Sequence, residues 1–253
     1  MESAFSTGWA IFRKSLTQII YNLSDALKIS GPLWILIYLI TYAIQQSPSK
    51  QSGVPEMSLG LSLVVFIASI LIICGFCWVA ILWHRFMLLN EGSENLVTRW
   101  NGSRVWSYLK YLFIIGFSVF IIVIIPYVVA MYTLGSVIAT YPKLFLYIGF
   151  MVSVLFYYLS LRFGLVLPSV ALDNPVTMGA SYSRTDDIKG AIFVASTLLV
   201  GVTIIVGQLL QITGIDQYTF QLPSFFTNWF FTMTGISILT TLYGYVVEKR
   251  ELV

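Results

Sequence analysis

Residues 111–142 read YLFIIGFSVFIIVIIPYVVAMYTLGSVIATYP, 32 positions without a charged side chain. Crossing the ~30 Å hydrocarbon core of a bilayer takes about 20 residues of helix at ~1.5 Å each. The stretch is long enough to cross once and too short to cross twice with a turn. In lipid only helices and closed barrels satisfy every backbone polar group. The run is continuously apolar instead of alternating, so a helix is predicted over a barrel strand.

Five more charge-free runs extend along the chain: Ile29–Ser49, Met57–His84, Leu144–Leu161, Gly190–Ile215 and Gln217–Val247. The composition agrees. Of 253 residues, 58% are hydrophobic and only 10% charged, whereas a soluble domain carries roughly 25% charged residues. A water-soluble globule and a disordered chain are both excluded. The sequence predicts an all-α integral membrane protein, one polytopic domain over 1–253. Its six transmembrane helices are placed at about 31–46, 58–82, 109–132, 144–166, 188–211 and 226–247. An N-terminal amphipathic interfacial helix over 4–27 precedes them. Pro32 fits a helix start, Pro126 should kink or break the third span, and Pro168 should end or re-aim the fourth.

The basic residues give an orientation. Arg13, Lys14, Lys28, Arg85, Arg99, Arg104, Lys110, Arg162, Arg184, Lys189, Lys249 and Arg250 fall on one side of the six-span arrangement, and only Lys50 and Lys143 on the other. Basic residues concentrate in cytoplasmic loops. Both termini and the loops near 85–110 and 167–187 are therefore expected in the cytoplasm. The loops near 47–57, 133–143 and 212–225 are expected on the other side. The opening Met1-Glu2-Ser3-Ala4-Phe5-Ser6 has no basic n-region before an apolar core, so no cleavable signal peptide is expected.

Within 4–27, Phe5, Trp9, Phe12, Leu16, Ile19, Leu23 and Leu27 recur at helical spacing, with Arg13 and Lys14 off the stripe. The pattern predicts a helix lying in the interface, Trp9 and Leu16 toward acyl chains or span ends and Arg13 and Lys14 toward headgroups. Arg85-Phe86 and Arg162-Phe163 end the second and fourth spans alike, which hints at helical hairpins built on one plan. Arg162 is expected to snorkel to the surface; the alternative is a specific pairing with Asp173 or a lipid phosphate. Asp173-Asn174-Pro175 marks a turn, followed by a short interfacial helix over Val176–Arg184. Thr185-Asp186-Asp187 is read as an N-cap with acidic residues in the first turn of the fifth span.

Three spans carry stripes of small and hydroxyl residues. Gly149, Ser153, Tyr157, Ser160 and Gly164 share a face of the fourth, Ser196, Thr203, Gly207 and Gln211 of the fifth, and Thr234, Ser237, Thr241 and Gly244 of the sixth. Such faces let helices pack closely, or they line a polar path. Cys74-Gly75-Phe76-Cys77 matches a redox spacing, but its depth in the second span predicts inert packing. His84, the one histidine, is placed beside Trp83 in the interfacial belt. No zinc-protease, nucleophile-elbow or phosphate-loop motif is present. No catalytic, cofactor or metal residue is assigned, and no cofactor is expected. The small net charge of +3 makes nucleic acid an unexpected partner.

Trp9, Phe12, Arg13 and Lys14 lead into six spans, and Arg162-Phe163-Gly164-Leu165-Val166-Leu167-Pro168 is followed by Ala171 and Asp173. With Ala180–Lys189 leading into the fifth span, the chain resembles small bacterial polytopic inner-membrane proteins of the YciC-like type. It is also similar to the membrane domain attached to some glycerophosphoryl diester phosphodiesterases. The resemblance implies a multi-pass inner-membrane protein and transfers no catalytic residue. The function expected is that of a non-enzymatic accessory or scaffold subunit in contact with lipid and other membrane subunits. The alternative is a small transporter or channel lined by hydroxyls of the fourth to sixth spans.

Overall fold

A computed structural model describes residues 3–45, 59–92, 100–141, 143–214 and 222–252. Among them the chain is all helical. α1 is Ala4–Tyr21, α2 Leu23–Gln45, α3 Leu59–Leu89, α4 Gly102–Thr140 and α5 Lys143–Phe163. The short α6 (Val166–Ala171) and α7 (Met178–Arg184) follow, then α8 (Lys189–Thr213) and α9 (Leu222–Val246). Side-chain oxygens cap three of them: Ser3 accepts from the Ser6 amide, Asn101 from Arg104 and Thr177 from Ala180. These bonds satisfy donors that the first helical turn leaves free. The expected loop at 47–57, half of that at 212–225 (residues 215–221), and Lys50 and Arg99 lie outside the described residues.

Among the described residues five helical stretches, not six, are long and apolar enough to cross a membrane: Leu23–Thr41, Ser62–Leu89, Gly102–Ile138, Lys143–Phe163 and Lys189–Thr213. The sixth expected span coincides with α9, which has the length at 25 residues but not the hydropathy. Asn228, Thr232, Thr234, Ser237, Thr240 and Thr241 supply the deficit. The reason is positional. α9 packs against α1, α3, α6 and α8, and Thr234, Ser237, Thr240 and Thr241 are buried among them while Asn228 is exposed.

Several expected boundaries shift. Residues 4–27 are not one helix: Asn22 ends α1, its amide donating to the Gln18 carbonyl, and residues 23–27 already belong to α2. Pro32 lies inside α2 instead of starting it, and Pro126 does not end α4. Transmembrane helices tolerate proline where neighbours or local adjustment re-satisfy the freed carbonyl. At 39 residues, α4 is ~58 Å long and overshoots the hydrocarbon core. The fourth span stops at Phe163, and Pro168 sits within the separate α6.

The buried face of α1 is also rotated from the aromatic stripe. It consists of Thr7, Gly8, Ile11, Phe12, Ser15 and Ile19, while Phe5 and Trp9 are exposed. Small residues win because α1 crosses α8 closely. A Cβ built on Gly8 would sit 2.6 Å from the Ala191 carbonyl oxygen and 2.6 Å from Val194 Cβ, so only glycine allows that approach.

Burial is uneven along every long helix. In α2 the buried residues run from Ala26 to Trp34, in α3 from Cys77 to Leu88, and in α4 from Val105 to Val123. In α5 they are Val154, Leu161 and Arg162, in α8 Ala191 to Val200, and in α9 Trp229 to Val246. Apart from those of α9, which run along most of its length, they lie toward the end of the bundle that gathers Lys14, Arg85, Arg104, Arg162 and Arg250, termed here the polar end. Beyond these positions the described side chains are exposed or half-exposed.

Candidate functional site

Arg162 is the most deeply buried charge. Its side chain is 2% exposed, so it does not snorkel, and its acidic partner is Asp186, not Asp173. Nε donates to Thr185 Oγ1 at 3.0 Å, Nη1 to the Tyr158 hydroxyl at 3.2 Å, and Nη2 to the Tyr182 carbonyl at 2.7 Å and Asp186 Oδ1 at 3.3 Å. The guanidinium also lies 3.9 Å from the Tyr182 ring centroid, a cation–π distance. Ser181 completes the joint by donating to the Arg162 carbonyl at 2.7 Å and accepting from the Leu165 amide at 3.2 Å. Thr185 is thus the C-cap of α7 and an acceptor for Arg162. It does not cap α8, whose N-cap is Ile188 without a side-chain bond.

A second joint is more open. Arg104 grips Asp173 through Nε at 3.1 Å and Nη2 at 2.6 Å. Arg85 reaches Asp173 Oδ2 at 3.4 Å, the Ala171 carbonyl at 3.0 Å and the Glu91 carboxylate. The Arg104 hydrogen bond, helped by the charges of Arg104 and Arg85, holds the Asp173 carboxyl below the usual carboxylate range. Asp173 adopts φ 58°, a left-handed conformation that Asp visits more readily than most residues.

α9 forms a polar spine. Ser237 and Thr241 both donate to Gln18 Oε1 of α1, at 2.7 and 3.2 Å, and Ser15 Oγ lies 3.1 Å from Thr241 Oγ1. Trp83 Nε1 of α3 donates to Ser237 at 3.4 Å, and Trp229 Nε1 donates to Ser30 of α2 at 2.8 Å. His84 is fully buried, not at the interfacial belt. Its Nδ1 is 2.8 Å from Thr240 Oγ1 and its Nε2 is 3.1 Å from the Tyr108 hydroxyl. Thr240 already donates to the Ile236 carbonyl at 2.9 Å. It therefore accepts from Nδ1–H, and Nε2 accepts from Tyr108. Sequence spacing gave no sign of His84, Tyr108, Thr240 or Gln18 as partners, because they sit on four different helices.

The C-terminal tail closes the same end. Arg250 donates to the Met87 and Leu88 carbonyls at the C-terminus of α3, which have no intrahelical partner of their own. Lys14 donates to the Glu251 carbonyl and not to headgroups, while Arg13 is exposed. Burial, then the nearby Arg250, lowers the Lys14 pKa.

The hydroxyl stripes do not share one surface. Ser153 donates to the Gly149 carbonyl, Thr203 to Leu199 and Thr234 to Phe230, each four residues back on its own helix. Ser237 and Thr241 are spent on Gln18. A Cβ on Gly207 would meet nothing within 4 Å, so it makes no close helix crossing. Of the residues expected to line a path, Ser160 faces a cavity of about 440 Å³ between α3, α4, α5, α8 and α9, and Ser153 a smaller one of about 280 Å³. Both cavities are walled almost wholly by apolar side chains. Cys74 and Cys77 are free thiols, and Cys77 lines the larger cavity. Among the described residues no group of three or more His, Cys, Asp and Glu is placed to hold a metal ion.

No family model, no curated protein and no solved structure matches the chain.

Proposed function

We propose that the chain is a non-enzymatic, six-span protein of a bacterial inner membrane, of the YciC-like type. It acts as an accessory or scaffold subunit through contacts with lipid and with helices of other subunits. In this reading α9 is the sixth span, and both termini and the basic joints face the cytoplasm. The observation that carries it is the use of the polar groups. Arg162, His84, Gln18 and the α9 hydroxyls bond to other helices at one end, while the far half of α4 and α5 presents uncovered apolar faces. Such groups fix a shape; they do not offer a substrate a row of unspent donors and acceptors. The engagement of Thr203, Thr234, Ser237 and Thr241 in protein hydrogen bonds likewise favours packing over a hydrophilic path.

Extraction in mild detergent, followed by native gels and mass spectrometry, tests the subunit role. Co-migration with a defined membrane partner, lost on substitution of the far α4 face at Val128 and Tyr132, is expected. Migration only as a lone monomer or homodimer contradicts it. Impermeant thiol labelling tests the threading: cysteines at Ser52 and Ile215 should react from outside, and one at Ser103 should not.

A further inference from the structure

The 440 Å³ cavity is one end of a longer groove. It shares Phe156 and Tyr157 with the 280 Å³ cavity. That one shares Val123, Tyr127 and Val152 with a third of about 310 Å³, which Pro126 and Ile148 help to line. The groove follows the seam between α4 and α5. From Tyr108 to Tyr127 the first two cavities cover ~28 Å of helix, all within stretches apolar enough to cross a membrane.

Two glycines hold the first cavity open. Gly116 of α4 and Gly235 of α9 line it, and a Cβ on either would meet nothing within 4 Å. This reverses the situation at Gly8, where a Cβ would collide. A glycine inside a helix is less favourable than alanine, and at 116 and 235 no close helix contact offsets that cost. What glycine provides there is space. The polar end of the space is also distinct. Ser160 and Tyr157, one turn apart on α5 and within two turns of its end at Phe163, face the cavity. Among the described residues neither hydroxyl has a hydrogen-bond partner.

Size decides between occupants. A helix ~10 Å across rising ~1.5 Å per residue fills roughly 120 Å³ per residue, so the 440 Å³ cavity holds fewer than four residues of a partner helix and the three joined cavities together fewer than about nine. It lies instead in the range of small-ligand sites, about 300–1,000 Å³. The geometry points to a phospholipid site: one acyl chain of a bilayer phospholipid threads the α4–α5 groove past Gly116 and Gly235, its ester oxygens accepting from Ser160 and Tyr157. A buried acyl chain gains free energy against water but not against the lipid tails it leaves. Selectivity over bulk lipid therefore rests on the shape of the groove and on the two hydroxyls.

The full chain is reconstituted in phosphatidylethanolamine–phosphatidylglycerol vesicles with a trace of phosphatidylcholine carrying a mid-chain diazirine. It is irradiated, and the adducts are mapped by peptide mass spectrometry; a parallel sample is washed in detergent and weighed intact. Adducts should concentrate on Leu112, Ile115 and Phe156 over the outward-facing Phe113 and Phe117, and the washed protein should retain one phospholipid. Gly116→Leu and Gly235→Leu should lose the inward adducts and the retained lipid, with Phe113 and Phe117 adducts unchanged. Ser160→Ala with Tyr157→Phe preserves packing, so it covers the case where the filled variants do not fold; it should lose the lipid on washing. Adducts spread evenly over inward and outward faces, or lipid retention unchanged in a folded filled variant or in the hydroxyl-free one, overturn the site. So does a peptide from another protein occupying the groove.

Discussion

The polar end and the far half of the bundle are built from the same six long helices, yet only one is packed. Toward the polar end Trp83, His84, Arg162, Tyr243 and Ile238 are almost fully buried, and hydrogen bonds cross between helices. In the far half Val128, Val129, Tyr132, Leu146 and Tyr147 are exposed, and the serine and threonine bonds found there, such as Thr133 to the Val129 carbonyl, stay within one helix. The difference follows from the solvent. In water, apolar faces collapse together; in lipid tails they gain nothing by doing so, and association needs close backbone approach or polar bonds. Gly8, Gly164, the α9 hydroxyls and the two arginine joints supply both at the polar end. The far half has aromatics and aliphatics that lipid solvates equally well, and there α4 and α5 leave a groove.

The largest effect should come from Arg162. Arg162→Ala leaves Tyr158, Thr185 and the Tyr182 carbonyl without their partner and empties a buried site. A loss of about 3 kcal/mol is expected in reversible SDS-titration unfolding. Arg162→Lys should recover little of it, because an ammonium cannot reproduce the fork that reaches four groups. Near-wild-type stability for the alanine variant would break the contrast between the two ends. Next is Gln18→Leu, which removes the acceptor shared by Ser237 and Thr241. Interhelical bonds in membranes average ~0.6 kcal/mol, so the expected cost is about 1 kcal/mol, read by the same titration. In the far half, Tyr132→Ala should change stability by less than about 0.5 kcal/mol, even though it deletes a large aromatic side chain.

The smallest effect is on pH dependence. Pairing with Arg104 and Arg85 lowers the Asp173 pKa, so this contribution is complete above the ordinary carboxylate value of ~3.9. It fades as pH falls through the depressed folded value. Asp173→Asn should be slightly less stable than wild type at neutral pH and indistinguishable from it once Asp173 is protonated. A gap that persists at the acid end would mean that the left-handed backbone at 173, and not the charge, is what Asp173 supplies.

The long helices were legible in the sequence because membrane solvation acts on single residues: a charge either falls within a run or it does not. α8 and α9 lie within four residues of their expected spans for that reason. Pro32 and Pro126 misled because their cost depends on whether neighbours satisfy one carbonyl. The polar joints were illegible for a related reason. Arg162 and Asp186 are 24 positions apart, and His84 and Thr240 are 156 apart; no local spacing links them. Arg162 stood out as a charge near a span, but whether it reached water or folded inward depended on α7 arriving above it. The rotation of α1 was set by Gly8 and Ser15, which an aromatic stripe at helical spacing outweighs to the eye.

Oxygen accessibility of single spin labels stepped along α4, from Ser103 to Thr140 in the purified chain in liposomes, tests the division most directly. Up to Val123 the profile should oscillate with a period of about 3.6 residues, with minima at Val105, Tyr108, Ile115, Val119 and Val123. Beyond Val123 the amplitude should collapse, with high accessibility on every face except a shallow dip toward α5 near Tyr127 and Ala130. A full-amplitude oscillation continuing to Thr140 would show that the far half is packed, and would contradict the account.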